Sequence, residues 1–295
     1  MPQKEFEWPA GRSSAAMVTV DLDAESCILH THPQAAEQLD ILAHQAYGTR
    51  TGVYRLLRIF ERRSVRATFF IPGFVADRWP AVVRDIQAAG HEIGHHGYMH
   101  EYLAGADRTT EEDYLLRGLD ALERVTGKRP LGYRAPGFKL NQRSPGLLAE
   151  HGFLYDSSLQ DTDVPYRLAA GPEDHAASVI ELPVQWSLDD FAHYIHLPGI
   201  RPGTGIASPS HVLDIWSSEL EALSAEGGCF NLTLHPFLSG RASRARTVER
   251  TIELMQSIDN LWIAPAIDVA RHAESVSIER VWHRPVELSE LYLER

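Results

Sequence analysis

Short apolar runs alternate with amphipathic segments along the whole chain. Eight apolar runs predict strands, at residues 17–22, 67–71, 92–94, 131–134, 153–156, 179–184, 229–234 and 261–263. Seven segments of helical period predict helices, at residues 52–62, 80–89, 111–126, 144–151, 211–225, 245–258 and 265–272. Strands that alternate with helices are typical of a parallel sheet covered by helices. The pattern therefore predicts an α/β fold, specifically a distorted (β/α) barrel.

Some helix ends carry their own signals. Thr110 followed by Glu111 predicts that a helix begins there, and Gly127 predicts its end. Pro80 occupies a first-turn position where proline is tolerated, and Gly90 closes the same helix. These signals fix two of the predicted helices to within a few residues.

Other segments lack a regular period. Residues 24–50 form a long first crossover with few periodic apolar positions, and residues 199–209 contain three glycines and two prolines, which predicts a loop. The 295 residues are interpreted as one domain, with an N-terminal extension at 1–16 and a C-terminal tail at 276–295.

Composition excludes several classes of protein. A net charge of −12 argues against binding nucleic acid or an anionic membrane, because both need a basic surface. Only two cysteines, Cys27 and Cys229, are present, too few for a disulfide framework. Residues 1–16 carry charges where a signal peptide has an apolar run, and no stretch reaches the roughly 20 apolar residues of a membrane span. We therefore expect a cytoplasmic protein.

Two aspartates end the first predicted strand. Asp21 and Asp23 are two residues apart, so both side chains point to the same face of that strand, and Glu25 follows shortly after. In a (β/α) barrel, chemistry belongs at the carboxyl ends of the strands. One carboxylate there can bind a metal while the other accepts a proton. The alternative is a pair of loop acids that cap the next segment.

Four histidines lie at the third predicted strand and just after it, at positions 91, 95, 96 and 100. A single histidine is usually structural, but His96 and His100 have the four-residue spacing that offers two imidazoles to one metal. Asp23 would complete a set of two histidines and one carboxylate with an open position for water, as in catalytic zinc sites. His91 and His95 are assigned to the core or to the surroundings of the metal.

Two further strand ends carry candidates of a different kind. Arg134 lies where a permanently charged guanidinium would hold a catalytic carboxylate ionised; the alternative is a surface arginine before a turn. His235 ends an apolar strand, a position suited to a general acid that protonates a leaving nitrogen; taken alone it would be a core or capping histidine.

These segments, in this order, resemble the polysaccharide deacetylase family, which contains the NodB-homology domain. The resemblance covers about residues 18–272. By this resemblance, Asp21 is the catalytic base, and Asp23, His96 and His100 hold a divalent metal, zinc foremost, with Co²⁺, Mn²⁺ or Ni²⁺ as alternatives. The arginine–proline motif corresponds to Arg134, and the leucine–histidine motif to His235 as the catalytic acid.

Other segments resemble a cytoplasmic subgroup that contains peptidoglycan deacetylase-like proteins, cyclic imide hydrolases and allantoinases, and whose members are commonly homotetramers. The segments are 23–26, 47–50, 68–73, 97–101 and 155–159. The family's fourth motif, an aspartate beside an aromatic residue, is not plainly present, and Asp189 or Asp190 beside Phe191 stands in its place. This departure argues against a glycan substrate.

The sequence thus predicts hydrolysis of an amide, imide or ureide bond in a small molecule. N-deacetylation of amino sugars or peptidoglycan fragments is the alternative that uses the same chemistry. A non-catalytic barrel that binds a metal is the alternative from another class, but it would be expected to have lost a ligand or the base. The side chains of Cys27, Trp186, Phe191 and Tyr194 are candidates for the substrate pocket, with ordinary loop packing as the alternative.

Overall fold

A computed structural model describes residues 6–173, 175–197 and 205–286. It contains ten strands: Ser14–Asp21 (β1), Thr68–Ile71 (β2), Glu92–His95 (β3), Gly132–Tyr133 (β4), Tyr155–Asp156 (β5), Tyr166–Ala169 (β6), Ser178–Glu181 (β7), Cys229–Leu234 (β8), Leu261–Ile263 (β9) and Arg280–Val281 (β10). All eight predicted strands are present: β8 and β9 have the predicted ends, and the other six have shifted ends.

Twelve α-helices lie in the described residues: Ser26–Thr31 (α1), Leu39–Tyr47 (α2), Val53–Arg62 (α3), Gly73–Arg78 (α4), Pro80–Ala88 (α5), Arg108–Thr126 (α6), Ser144–Glu150 (α7), Asp190–Tyr194 (α8), Pro209–Glu226 (α9), Pro236–Ser239 (α10), Ala242–Ser257 (α11) and Ala266–Ser275 (α12). None of them is long and apolar enough to cross a lipid bilayer.

The strands form one curled sheet in the order β10-β6-β7-β5-β4-β3-β2-β1-β8, and β9 pairs with the start of β1. All pairs are parallel except β6 with β7. In the part of the chain that the structure describes, no pairing joins β8 to β10, so the sheet is a curled half-barrel. The predicted α/β class and distorted barrel are confirmed.

Alternation along β1 separates two environments. Val18, Val20 and Leu22 face the large apolar cluster that the sheet shares with the outer helices. Met17 belongs to the inner cluster, which is filled from the other end by α12. Because side chains in a strand alternate between faces, Asp21 and the residues two positions away from it lie on the inner side.

Several sequence predictions about the elements were wrong. The helix predicted from residue 111 begins at Arg108, because the side chain of Asp107, not Thr110, caps it by accepting a hydrogen bond from the Thr110 N–H at 2.8 Å. Gly127, with φ of 68°, and Pro80, at the first turn of α5, are placed as predicted.

The long crossover 24–50 is helical over much of its length, with α1, α2 and a π-helical turn at Gly48–Gly52. Its low apolar periodicity did not predict these helices. Packing of α2 and of the π-helical turn against α10 stabilises them. Strands β6 and β10 were not predicted from the sequence. Residues 199–204 of the predicted loop and 287–295 of the predicted tail lie outside the described residues.

We expect Gly118→Ala to destabilise the fold by about 1–3 kcal/mol, although alanine normally favours a helix interior. A Cβ at position 118 would lie 2.2 Å from Nε2 of His95 and 2.7 Å from the Gly97 carbonyl oxygen. Chemical denaturation would measure the change. Gly146→Ala in α7 is the matched control, since its Cβ would meet only Ala170 Cβ at 3.2 Å. An equal or greater stability of Gly118→Ala would contradict this packing argument.

Candidate active site

Four strand ends bring the candidate residues together at the carboxyl edge of the sheet. Asp21 ends β1, His96 follows β3, Arg134 follows β4 and His235 follows β8. These four strands are not consecutive along the sheet, but its curvature closes their carboxyl ends around one space. All four side chains are buried, Arg134 with 0% of its surface exposed.

Three side chains form a compact cluster of possible metal ligands. Nε2 of His96 lies 3.5 Å from Oδ1 of Asp23, and Nε2 of His100 lies 3.6 Å from Oδ2 of the same carboxylate. One ligand atom from each residue falls within 4.8 Å of the others. Tetrahedral zinc with ligand distances of about 2.0–2.2 Å separates neighbouring ligand atoms by roughly 3.3–3.6 Å. The spacing of this cluster therefore fits a small divalent cation.

The protonation and the hydrogen bonding of these three residues also suit a bound cation. Oδ1 of Asp23 is buried and has no hydrogen-bond partner among the described residues. Burial raises the pKa of Asp23 and holds the pKa of His100 well below its usual range, so the imidazole of His100 is neutral and has a free lone pair. Nδ1 of His96 donates to the Arg134 carbonyl at 2.7 Å, which leaves Nε2 as the ligand atom.

The two histidines lie on a non-helical loop. The four-residue spacing suggested ligands from a single turn, but residues 96–107 after β3 contain no helix. Glu101 shapes the loop by accepting a hydrogen bond from the Tyr98 N–H at 3.0 Å. His100 has a φ of 61°, a left-handed conformation that non-glycine residues adopt rarely. This strained backbone turns the imidazole of His100 back toward Asp23.

Asp21 is held by Arg134. Nη1 of Arg134 donates to Oδ1 of Asp21 at 2.8 Å and to Oγ1 of Thr19 at 2.9 Å. Burial raises the pKa of Asp21, but the charge of Arg134, followed by those of His96 and His235, outweighs burial and lowers the pKa. Asp21 is therefore ionised. Its other oxygen lies 3.9 Å from Nε2 of His96, beside the possible metal ligands.

A buried network behind Arg134 was not predicted from the sequence. Nε of Arg134 donates to the Ser157 carbonyl, and Nη2 donates to Oγ of Ser157, both at 3.0 Å. The next residue, Ser158, donates to Oδ1 of Asp156 at 2.8 Å, and its N–H donates to Oε1 of Glu181 at 2.9 Å. Burial raises the pKa of Asp156 to about 6 and that of Glu181 well above its usual value. Through their hydrogen bonds with Ser158, these two carboxyl groups fix the loop that holds Arg134.

His235 is held by Asp190. Nδ1 of His235 donates to Oδ1 of Asp190 at 2.7 Å, and its backbone N–H donates to Oδ2 at 2.9 Å. Burial lowers the pKa of His235, but the hydrogen bond and charge of Asp190, aided by Asp189 and Asp23, outweigh it and raise the pKa well above its usual value. Nε2 of His235 lies 3.6 Å from Oδ2 of Asp23, at the same centre.

Of the two aspartates that could replace the fourth motif, Asp190 is therefore the one bonded to His235. Asp189 caps α8 by accepting from the Phe191 N–H at 2.8 Å, and burial raises its pKa to about 7. These two aspartates and His235 are also close enough together to bind a cation. Their donors and acceptors already bond to one another, so the cluster of Asp23, His96 and His100 fits a metal better.

His91, His95 and Glu25 lie outside the cluster of Asp23, His96 and His100. Nδ1 of His91 accepts from the Ala67 N–H at 3.0 Å, and Nε2 of His95 donates to the Leu115 carbonyl at 3.0 Å. Burial lowers their pKa values to about 4 and about 3, so both are neutral core residues. Glu25 accepts hydrogen bonds from Arg78 and Trp79.

A cavity of about 390 Å³ opens onto the candidate catalytic and metal-binding residues. Asp21, Asp23, His96, His100 and His235 line it, and much of the rest of the wall is aromatic or aliphatic: Ile28, Tyr102, Phe138, Trp186, Phe191, Ile195, Leu197 and Phe237. Of the four pocket candidates, Cys27, Trp186 and Phe191 line this cavity. Tyr194 does not; it is buried under the guanidinium of Arg244, 4.3 Å from the ring centre.

Known proteins are similar to this chain in sequence and in fold. The polysaccharide deacetylase family model matches residues 46–155. A peptidoglycan deacetylase-like protein of Gibberella zeae is 32% identical over 81% of this chain and 80% of its own length. A crystal structure of a candidate polysaccharide deacetylase from Mycobacterium smegmatis is 44% identical, with a TM-score of 0.93 over 97% of this chain and 99% of that one. The PuuE allantoinase structure is 26% identical, with a TM-score of 0.78 over 91% and 93%.

Proposed function

Because this chain belongs to the polysaccharide deacetylase family of hydrolytic enzymes that cleave C–N amide bonds, we propose that it is a metal-dependent hydrolase of a small, non-peptide amide, imide or ureide. The observation that carries the proposal is the convergence of Asp21, the Asp23–His96–His100 cluster and His235 on one largely apolar cavity. Each of the three groups has a separate role.

Asp23, His96 and His100 would hold the metal. A divalent cation at this position would polarise the scissile carbonyl as a Lewis acid and would lower the pKa of a water molecule far below its value in bulk water, toward about 7. Two imidazoles and one carboxylate suit zinc and also accept Co²⁺, Mn²⁺ or Ni²⁺.

Asp21 is the proposed base. It is ionised, its free oxygen faces the ligand cluster, and Arg134 fixes the position of its other oxygen. A positioned carboxylate of this kind can accept the proton of the attacking water. Arg134 in turn is fixed through Ser157, so the orientation of the base does not depend on the substrate.

His235 is the proposed acid. The bond between its Nδ1 and Asp190 stabilises the imidazolium form and leaves the Nε2 proton directed to the centre of the site. This proton can be given to the leaving nitrogen as the C–N bond breaks. The base and the acid thus belong to two separate charge pairs, Arg134 with Asp21 and Asp190 with His235.

The cavity supports a small substrate. Its volume is near the lower end of the range for sites that enclose a ligand, and its wall is mainly apolar. A planar imide or ureide buries well against such a wall, and the name of the allantoinase neighbour refers to a ureide substrate. Hydrolysis of such a compound in the cytoplasm stays a prediction from the sequence.

N-deacetylation of an amino sugar or a peptidoglycan fragment is the second candidate. The name of the Gibberella zeae relative favours it, since that protein is described as peptidoglycan deacetylase-like. Trp186, half exposed beside Phe138 at the cavity, is a surface on which a sugar ring could stack.

A panel of cyclic imides, allantoin and chitooligosaccharides separates these candidates. We expect ring-opened acid or ammonia to be released from an imide or ureide with kcat/KM of about 10⁴ M⁻¹ s⁻¹ or more, and acetate release to be far slower. The Asp21→Asn variant, which lacks the proposed base, is the negative control for each substrate. Acetate release at that rate, without imide or ureide turnover, would replace the leading proposal by the second candidate.

A further inference from the structure

One buried amide in the cavity has no role in the chemistry described above. Gln45, in α2, has 0% of its surface exposed and lines the cavity. Its Oε1 lies 3.8 Å from Sγ of Cys27, within reach of the thiol proton. Its Nε2 has no hydrogen-bond partner among the described residues. Buried amide donors are nearly always satisfied, so this one is available to an acceptor on a bound molecule.

The same cavity has one positively charged rim residue. Lys139 is the one lysine or arginine among the lining residues that the structure describes. Its Nζ lies 3.8 Å from the ring centre of Tyr102, and it forms no ion pair with a described carboxylate. In a chain with a net charge of −12, an ammonium group without an acidic partner at the mouth of a site is available for an anion.

Lys139 is within reach of the catalytic centre. The rings of Tyr102 and His100 have centres 5.8 Å apart. Together with the contact between Lys139 and Tyr102, this places the ammonium no more than about 10 Å from the imidazole of His100. A molecule with a few atoms between a carbonyl group and an anionic group spans that distance.

The proposed reaction and the charge of Lys139 define the orientation of a bound substrate. The scissile carbonyl has to reach the cluster of Asp23, His96 and His100, so it occupies that end of the cavity. Lys139 lies at the rim and would attract a carboxylate. A substrate that carries a carboxylate would therefore bind with its amide carbon at the catalytic end and its carboxylate at the rim.

We propose that Lys139 and Gln45 form a recognition subsite for an acidic substrate, a small amide, imide or ureide that carries a carboxylate a few atoms from the scissile bond. Lys139 binds the carboxylate, and Nε2 of Gln45 donates to a second oxygen of the substrate. This inference rests on the proposed hydrolysis of a small C–N substrate, and it makes Lys139 and Gln45 specificity-determining residues.

Matched pairs of compounds test the role of the carboxylate. Each pair is an N-acylated or N-carbamoylated ω-amino acid with one, two or three methylene groups, and the corresponding uncharged primary amide. We expect the metal-loaded enzyme to prefer the acid by about tenfold in kcat/KM at the best spacer length, since a charge-assisted contact at a partly exposed site has roughly this effect. Equal values for acid and amide at every length would overturn the proposal.

Substitutions of Lys139 test whether this residue causes the preference for the acid over the amide. Lys139→Met should reduce the ratio of acid to amide kcat/KM to about one, Lys139→Glu should reverse it, and Lys139→Arg should retain it. The chain has three lysines, so Lys128→Met, outside this cavity, is a matched control that should keep the wild-type ratio. An unchanged ratio in Lys139→Met would overturn the role of Lys139.

Gln45→Leu should lower kcat/KM for both members of a pair, and unchanged values would remove Gln45 from the subsite.

Equilibrium binding separates this proposal from the proposed function. Calorimetric titration of the acids and amides into Asp21→Asn, with and without Lys139→Met, measures the same preference in Kd without turnover. If Asp21→Asn alone binds acids about tenfold tighter and the double variant does not, the subsite stands even where the wild type hydrolyses no compound, and only the proposed function fails. Identical Kd values in the two proteins would overturn the subsite.

Discussion

Asp21→Asn should lower kcat by about 10²–10⁴ or more while the protein keeps its metal. The substitution preserves the shape of the side chain but removes the carboxylate that accepts the proton. The cluster of Asp23, His96 and His100 does not include Asp21, so the affinity for the metal should change little. Turnover and metal content, the latter by elemental analysis of dialysed protein, would check both parts.

His96→Ala is the matched contrast to Asp21→Asn. It removes one of the three possible ligands and also the hydrogen bond from His96 to the Arg134 carbonyl. We expect this variant to lose its metal and, with it, its activity. Thermal unfolding of both variants controls for folding, since Asp21→Asn leaves the buried Arg134 without its carboxylate partner. Equal loss of metal from the two proteins would mean that Asp21 is itself a ligand.

His235→Ala should lower kcat on the natural amide by about 10²–10⁴, the usual effect of removing a positioned proton donor. The loss should be smaller on an activated ester, because its leaving group departs without protonation. The metal should remain bound, since His235 is not part of the cluster of Asp23, His96 and His100. Steady-state kinetics on both substrates, with metal analysis, would measure the difference.

The hydrogen bond from Nδ1 of His235 to Asp190 gives a second test of the acid. Asp190→Asn removes the charge that raises the pKa of His235, so it should reproduce a part of the loss in His235→Ala. His211→Ala, at an exposed position of α9, is the control for replacing a histidine and should leave kcat unchanged. An unchanged kcat in His235→Ala on the natural amide would make His235 a structural residue and leave the acid unassigned.

The order of apolar runs and helical segments in the sequence predicted the α/β fold, because burial of one face imposes a period of 2 or 3.6 on the residues that form it. The same reasoning located the candidate catalytic residues. Asp21, Arg134 and His235 each lie at or just after the end of an apolar run, and parallel strands bring such ends to one edge. The four-residue spacing of His96 and His100 identified a pair, although the loop that carries them is not helical.

Contacts between residues distant in sequence determined how the candidate catalytic residues are supported. Asp190 meets His235 across 45 positions, and Glu181 meets Ser158 across 23, so no local pattern could show that the first supports the acid and the second supports Arg134. The first crossover has little helical period of its own, yet tertiary packing makes α2 helical and buries Gln45 beside the site. The sequence by itself determined which strand ends carry reactive groups, because local periodicity sets those ends. Only the tertiary structure determined which groups share a proton, a charge or a cavity, since the curvature of the sheet sets those distances.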